Sequence, residues 1–323
     1  MEVVILESNR AYGNLRTLVV GGGVGGARMV RALAEVVSPV SLSIVVNVGD
    51  DDDLYGVRVC PDLDTVVYTL AGIEGPEGWG VAGDTFTVLD RLAALGIDTT
   101  FRLGDTDLAT CLMRTQLLAL GMPLSAVTER LAAGLRVTVK VVPVTDDPIR
   151  TRIRTTDGVW LSFQEYFVLR HHADRVAEVV FAGAVDAAIA PGVADLVAGA
   201  DLIVIAPSNP VLSIAPMLAV AGFADAIAAH PRVVAVSPFF SGRALKGPAA
   251  EVLDSLGLPA GNLGVLDAYR GLLTHLVIDE GDAATVGELD AAGVAIHVAP
   301  TRLTGPDRGA PLAMRLLDIG STG

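Results

Sequence analysis

One glycine-rich junction near the start of the chain limits its fold more than any other feature. Residues 15–20 form a short, mostly apolar strand-like run, residues 21–26 read GGGVGG, residues 27–37 carry apolar side chains at helical spacing, and residues 42–46 are again mostly apolar. A strand, a glycine turn, a helix and a second buried strand make a βαβ unit. Glycines at such a turn let the backbone come close to a phosphate, and the helix start adds N–H donors and the positive end of its dipole. The same glycines also suit a tight strand-to-helix crossover without a ligand. Residues 202–205, 213–227 and 232–236 repeat the strand–helix–strand pattern. The predicted fold is therefore α/β, a doubly wound, mostly parallel, Rossmann-like sheet.

The texture between these units differs. Residues 85–95, 107–120 and 124–135 show helical spacing, and residues 139–142, 151–155 and 159–163 read as strands, the last two joined at the hairpin dipeptide Asp157-Gly158. The 323 residues then divide into an N-terminal extension (1–14), a nucleotide-binding core (15–84 and 174–323) and an inserted helical and β-ribbon subdomain (85–173) that contributes to an acceptor site.

Composition narrows the function. Hydrophobic residues make up 51% of the chain, yet the longest uncharged stretch, residues 202–224, is broken by Pro207, Pro210 and Pro216, whereas a membrane span needs about 20 continuous apolar residues. Residues 1–7 carry an early acid and no basic flank, unlike a secretory signal. A cytoplasmic address follows as the expectation, with no membrane partner. A net charge of -14 opposes a nucleic-acid backbone and leaves small phosphorylated ligands, held locally by backbone amides, a few arginines or a divalent cation. The two cysteines, Cys60 and Cys111, are too few for a disulfide framework and are expected as small buried side chains.

The residues with chemical potential fall at predicted carboxyl ends of strands, where open α/β sheets place their ligands. Gly22, Gly23, Val24, Gly25 and Gly26 form the candidate phosphate turn. After the second strand, Asn47-Val48-Gly49 leads into Asp50, Asp51, Asp52 and Asp53. These acids read as a magnesium-type site or as a solvated loop, and not all four can point inward. Asp62 and Asp64 follow Pro61; on an extended segment they share a side, one to hold metal and the other to accept a proton from an attacking hydroxyl. Capping of a helix start is the plainer alternative. Ser208, Asn209 and Pro210 follow one later strand, Ser237-Pro238 another, with Lys246-Gly247-Pro248 beyond, either as ligand loops or, for Ser208, as a helix cap. Arg102 and Arg114 suit a phosphate or an electron-rich ring, or are simply exposed helix-end arginines. His171 and His172 read as surface, and His230, His275 and His297 lack metal-ligand spacing.

In their order and spacing, several of these segments resemble the 2-phospho-L-lactate transferase family of coenzyme F420 biosynthesis, and most of all its bacterial phosphoenolpyruvate-using members. They are the glycine turn, Asn47 to Asp50, Pro61-Asp62-Leu63-Asp64-Thr65, Gly83-Asp84-Thr85-Phe86, Leu103-Gly104-Asp105, Asp146-Asp147-Pro148, the Ser208 loop and Ser237-Pro238. The resemblance implies transfer of a phospho-lactyl or phospho-enolpyruvyl group from a guanosine diphosphate conjugate to the deazaflavin FO, with release of GMP. It places FO against Asp64 and Arg102 and the nucleotide against the glycine turn and the Ser208-Asn209 loop. Magnesium on Asp50 and Asp62 is the expected cofactor, and a homodimer the expected assembly. The chain departs from the family in its residues before Leu15 and in Asp52 and Asp53. Two other readings compete: a nicotinamide-dependent oxidoreductase, and a non-catalytic nucleotide-sugar-binding regulator of related fold.

Overall fold

Strand β1 (Thr17–Gly21) is buried along its whole length because it is flanked on both edges and covered on both faces. The computed structural model describes residues 12–244, 247–289, 293–303 and 309–321, so Lys246 and most of the expected N-terminal extension lie outside the described residues. From β1 the chain enters helix α1 (Gly23–Ala34) and returns as β2 (Leu42–Val46), giving the expected βαβ unit. A short hairpin, β3 (Asp52–Leu54) and β4 (Val57–Val59), leads to helix α2 (Pro61–Ala71) and then to α3 (Thr87–Ala94), α4 (Asp105–Ala119) and α5 (Leu124–Gly134). Strand β5 (Lys140–Pro143) precedes β6 (Arg150–Thr155), β7 (Trp160–Ser162) and β8 (Val176–Ala182), and α6 (Val193–Gly199) precedes β9 (Leu202–Ile205). The later elements are α7 (Ala215–Leu218), α8 (Phe223–Ala228), β10 (Val233–Val236), the pair β11 (Phe239–Phe240) and β12 (Arg243–Ala244), α9 (Ala249–Ser255), α10 (Gly261–Ala268), β13 (His275–Asp279), α11 (Val286–Leu289), β14 (Ala295–Ala299) and α12 (Gly309–Ser321).

Seven strands pair in the order β14-β13-β10-β9-β1-β2-β5, and every pairing is parallel. The chain winds outward from β1 through β2 to β5, then returns beside β1 as β9 and winds outward the other way. The order therefore reverses between β1 and β9, and in such sheets the loops leaving these two strands diverge to open a crevice. Val19, Val20, Ile44, Val45, Ile203, Val204 and Val234 in the middle of the sheet are fully buried; each such side chain contributes about 1.5–3 kcal/mol. No helix among the described residues is long and apolar enough to cross a membrane.

Three local differences from the sequence reading have physical causes. Helix α1 begins at Gly23, so four residues of the glycine turn are its first turn. The helix expected over 213–227 is broken, because the chain takes a wide turn at Pro210–Ile214 and Gly222 at φ 79° separates α7 from α8. Strand β5, within the span assigned to the insert, is the edge of the main sheet, while β8, within the span assigned to the core, pairs with β6 of the ribbon. The hairpin at Asp157-Gly158 forms as expected, pairing β6 with β7.

Several acids in the quoted segments hold the insert together. Asp84 accepts the N–H groups of Thr106 and Asp107 at the start of α4, and Asp105 accepts those of Thr87 and Val88 at the start of α3. Each thus satisfies orphan donors of the other's helix. Gly104 is needed at this junction, since a Cβ there would lie 2.2 Å from Asp84 Oδ2. Asp146 accepts from Ser125 N at 2.6 Å, fixing the start of α5.

Candidate active site

The loops leaving β1, β2 and β9 meet at one cleft of about 560 Å³, lined among others by Gly22, Gly23, Val24, Gly25, Asp50, Asp62, Asp64, Arg102, Ser208 and Asn209. A crevice of this size suits a small-molecule ligand. Its walls are mixed: acids and glycines on the sheet side, and Trp79, Phe101, Phe163, Phe167 and Phe240 toward the insert and the C-terminal half. The rings of Phe163 and Phe167 stack at 5.4 Å with 9° between planes.

The floor is built by close backbone approach. A Cβ at Gly25 would lie 2.2 Å from the Pro207 carbonyl oxygen, and one at Gly21 would lie 2.8 Å from Ala206 Cβ. The turn after β1 thus nests into the loop after β9. The Ser208 hydroxyl donates to the Gly22 carbonyl at 2.9 Å and accepts from the Gly22 N–H at 3.3 Å. Asn209 Oδ1 accepts from Val211 and Leu212 N–H, both at 3.0 Å, so Asn209, rather than Ser208, caps the following turn. Pro210 is buried as the first residue of that turn, and Gly26 is buried against Gly21. Ser237 lies under the site: its buried hydroxyl donates to Asn262 Oδ1 at 2.5 Å and accepts from Phe239 N–H.

Helix α2 begins at Pro61, with the ring's fixed φ suited to the first helical position. Asp62 and Asp64 therefore lie two residues apart on a helix, about 200° around its axis, and point in different directions. Asp62 reaches the glycine turn. It accepts from Asn47 Nδ2 at 3.0 Å, and a Cβ at Gly22 would lie 2.0 Å from its Oδ2. Asp50, from the loop after β2, shares the Asn47 amide with it, accepting from Nδ2 at 3.3 Å. Burial, then the neighbouring charges of Asp62 and Asp51, hold the Asp50 carboxyl well above the usual carboxylate range. Burial pushes Asp62 up to about 6. The ribbon braces this loop, with Gln164 donating to the Asp50 carbonyl at 2.8 Å and Thr151 N–H to the Gly49 carbonyl at 2.7 Å.

Of the four consecutive acids only two turn inward. Asp51 is buried, takes the Cys60 thiol at 3.0 Å, and is pushed by burial to about 7. Asp52 and Asp53 lie on the β3–β4 hairpin, and Asp53 pairs with Arg58 at 2.6 Å.

Asp64 turns to the opposite side and forms an ion pair with Arg114, which is buried on α4 instead of sitting exposed at a helix end. Burial raises the Asp64 carboxyl, and the Arg114 charge pulls it back. Tyr68 donates to Asp107 Oδ1 at 2.8 Å, and Asp107 is pushed to about 7 by burial and then by the charge of Asp64. Arg102 lies 4.2 Å above the Phe86 ring and 3.8 Å from Asp90 at the cleft edge.

Residues 17–295 match the protein family described as 2-phospho-L-lactate transferase CofD. The chain belongs to the CofD family. It is 41% identical over 312 residues to the phosphoenolpyruvate transferase of Streptomyces griseus, covering 94% of this chain and 98% of that protein. It is also 41% identical over 320 residues to the phosphoenolpyruvate transferase of Thermobifida fusca, with the same coverage. Among solved structures, protein BH3568 from Bacillus halodurans shares the fold with a TM-score of 0.63 at 17% identity, covering 94% of this chain and 99% of that one. The chain is thus a member of a transferase family, and its own core is a seven-stranded parallel α/β sheet.

Two donor sets in this CofD-family site could concern a metal. Asp64, Asp107 and Cys111 place ligand atoms within 4.8 Å of one another. That group already holds a cation, the Arg114 guanidinium, and burial keeps the Cys111 thiol protonated. Asp50 and Asp62 are the better fit to a hard divalent ion: they are buried oxygen donors that share the Asn47 amide, and burial holds both carboxyls up.

The sequence reading overlooked Asn47 as a bridge, Gln164 as a brace, and the Tyr68–Asp107–Arg114 set. A signal existed for the last of these: Asp107, Cys111 and Arg114 stand at i, i+4 and i+7, one face of one helix.

Proposed function

We propose that this CofD-family chain transfers a phospho-enolpyruvyl or phospho-lactyl group from a guanosine diphosphate conjugate to a hydroxyl of the deazaflavin FO, releasing GMP, in coenzyme F420 biosynthesis. One observation carries the reading: the glycine turn, the Asp50–Asp62 pair and the Ser208 loop converge on a single cleft at the reversal point of the sheet. The names of the relatives in Streptomyces griseus and Thermobifida fusca favour enolpyruvyl over lactyl as the transferred acid. The aromatic wall of Phe101, Phe163, Phe167 and Trp79 suits a flat deazaflavin ring.

Phosphoryl transfer depends mainly on positioning and on neutralising charge at the transferred group. Asp50 and Asp62 would hold magnesium, which supplies that neutralisation when bound. Asp64, whose charge Arg114 sustains in a buried setting, orients or deprotonates the attacking hydroxyl. The amides of the turn hold a phosphate.

The reading carries a cytoplasmic address and a homodimer with it. Val88, Leu95, Leu112 and Leu120 leave apolar surface on and beside α3 and α4, which supports association through that face, to be checked by light scattering. The deciding experiment mixes the protein with FO, magnesium and the guanylated donor and follows GMP by chromatography. GMP release that requires FO supports the transferase. No GMP with either the enolpyruvyl or the lactyl donor sinks it.

A further inference from the structure

Two arginines line the cleft, Arg28 and Arg102, and their engagement differs. Arg102 is already placed over Phe86 and beside Asp90. Arg28 makes no hydrogen bond and no ion pair with any described residue, although it is only half exposed.

Its position is unusual for an idle side chain. Arg28 is on α1 five residues after Gly23, about 7.5 Å along the axis, but helical side chains lean back toward the N-terminus. A Cβ built on Gly78 would lie 3.5 Å from Arg28 Nη2 and 2.9 Å from Val24 Cγ1, so the guanidinium lies near Val24, at the lip of the glycine turn. The loop that covers it comes this close because Gly78, at φ 92°, has no side chain.

The surroundings leave the guanidinium short of negative charge. Behind it lies a second cavity of about 240 Å³, lined by Arg28, Arg31, Thr69 and Glu74 among others, in which Glu74 is already taken by Arg31. Burial and then the Arg31 charge both weaken Arg28's hold on its proton, and Glu74 offsets this only in part. An arginine fork with unused donors, beside a phosphate turn and next to a like charge, is completed by an oxyanion.

We propose that Arg28 grips an oxyanion of the donor, a phosphate or a carboxylate, and so sets which donors the enzyme accepts. This rests on the transferase reading above, in which the donor carries two phosphates and an acid. Arg28 is then a specificity residue at the outer end of the donor, and the acceptor end of the cleft is indifferent to it.

The test compares wild type with Arg28→Gln and Arg28→Lys, after matched unfolding midpoints show that both variants are folded. Arg28→Gln should raise KM for the guanylated donor by about ten- to a hundredfold, the range expected for a charge-assisted hydrogen bond. KM for FO should move less than about twofold, and Arg28→Lys should recover part of the loss, since it keeps the charge without the fork. Calorimetric titration with GDP then separates the sources. GDP weakened in parallel assigns the oxyanion to the diphosphate, and GDP unchanged assigns it to the acid's carboxylate. A wild-type donor KM in Arg28→Gln overturns the proposal. If wild type releases no GMP, the transferase reading fails by itself, and titration with inorganic pyrophosphate and with phosphoenolpyruvate still tests Arg28: equal affinity of wild type and Arg28→Gln for both overturns the site, and weaker binding of either by the variant upholds it.

Discussion

Asp64 and Arg114 form an ion pair inside the protein, with side chains only 9% and 1% exposed. The pair joins α2, from the core, to α4, from the insert, directly beneath the cleft. Asp64 Oδ2 and Arg114 Nε have no other partner among the described residues, so removing either member leaves a buried charge uncompensated. Arg114→Met should lower the free energy of unfolding by about 3–5 kcal/mol, measured in denaturant. Arg114→Lys should lose less, because the charge remains. A Met variant as stable as wild type contradicts the pairing.

Asp107 gives a pH prediction whose sign follows from burial. Its carboxyl stands at about 7 in the folded chain, against about 3.9 when unfolded. A carboxyl raised on folding gives full stability below its unfolded pKa and loses it as pH climbs through the folded one. Asp107→Asn keeps an acceptor for Tyr68 and carries no charge. At pH 8 it should stabilise the protein by about 1 kcal/mol or more over wild type, and at pH 4 the difference should vanish. Thermal unfolding at the two pH values decides; a variant less stable at pH 8 refutes it.

Gly22 needs to be glycine for room, since its φ of -155° suits any residue. Alanine there would press on Asp62 Oδ2 at 2.0 Å and on Asn47 Cβ at 3.1 Å. Gly22→Ala should cost about 1–3 kcal/mol of stability through overpacking. It should also displace Asp62 enough to slow GMP release about a hundredfold. Turnover near wild type would mean that the Asp62 position is unimportant.

The outward acids should be dispensable. Asp53 is 61% exposed and its pairing with Arg58 is at the surface, so a double Asp52→Asn, Asp53→Asn variant should change stability by less than about 1 kcal/mol and leave GMP release unchanged. Asp50→Asn, by contrast, should raise the magnesium concentration needed for half-maximal turnover at least about tenfold. Equal effects of the two variants would remove the distinction between inward and outward acids.

Much of this was readable from the sequence because the sheet announces itself locally. Strands β2 and β9 begin and end where their apolar runs do, and Pro238, after β10, lines the cleft as the loops after β1, β2 and β9 do, although Ser237 itself turns to Asn262. What was hidden depends on rotation and on distance along the chain. Two aspartates flanking Leu63 look like neighbours on one side until Pro61 starts a helix and turns them apart. Arg114 looks like surface until the fold brings it against a carboxylate 50 residues away. Hydroxyl and amide side chains such as Ser208 and Ser237 give identical signals in sequence, and only their neighbours show that one faces the cleft and the other a buried asparagine.

The Ser208 hydroxyl touches both polar groups of Gly22 across 186 positions of chain. A polypeptide stopped before β9 would hold the first βαβ unit and all four acids but lack the floor beneath them. Ligand uptake by this protein should therefore appear late during synthesis and in one step, making it a reporter of complete folding rather than of either half.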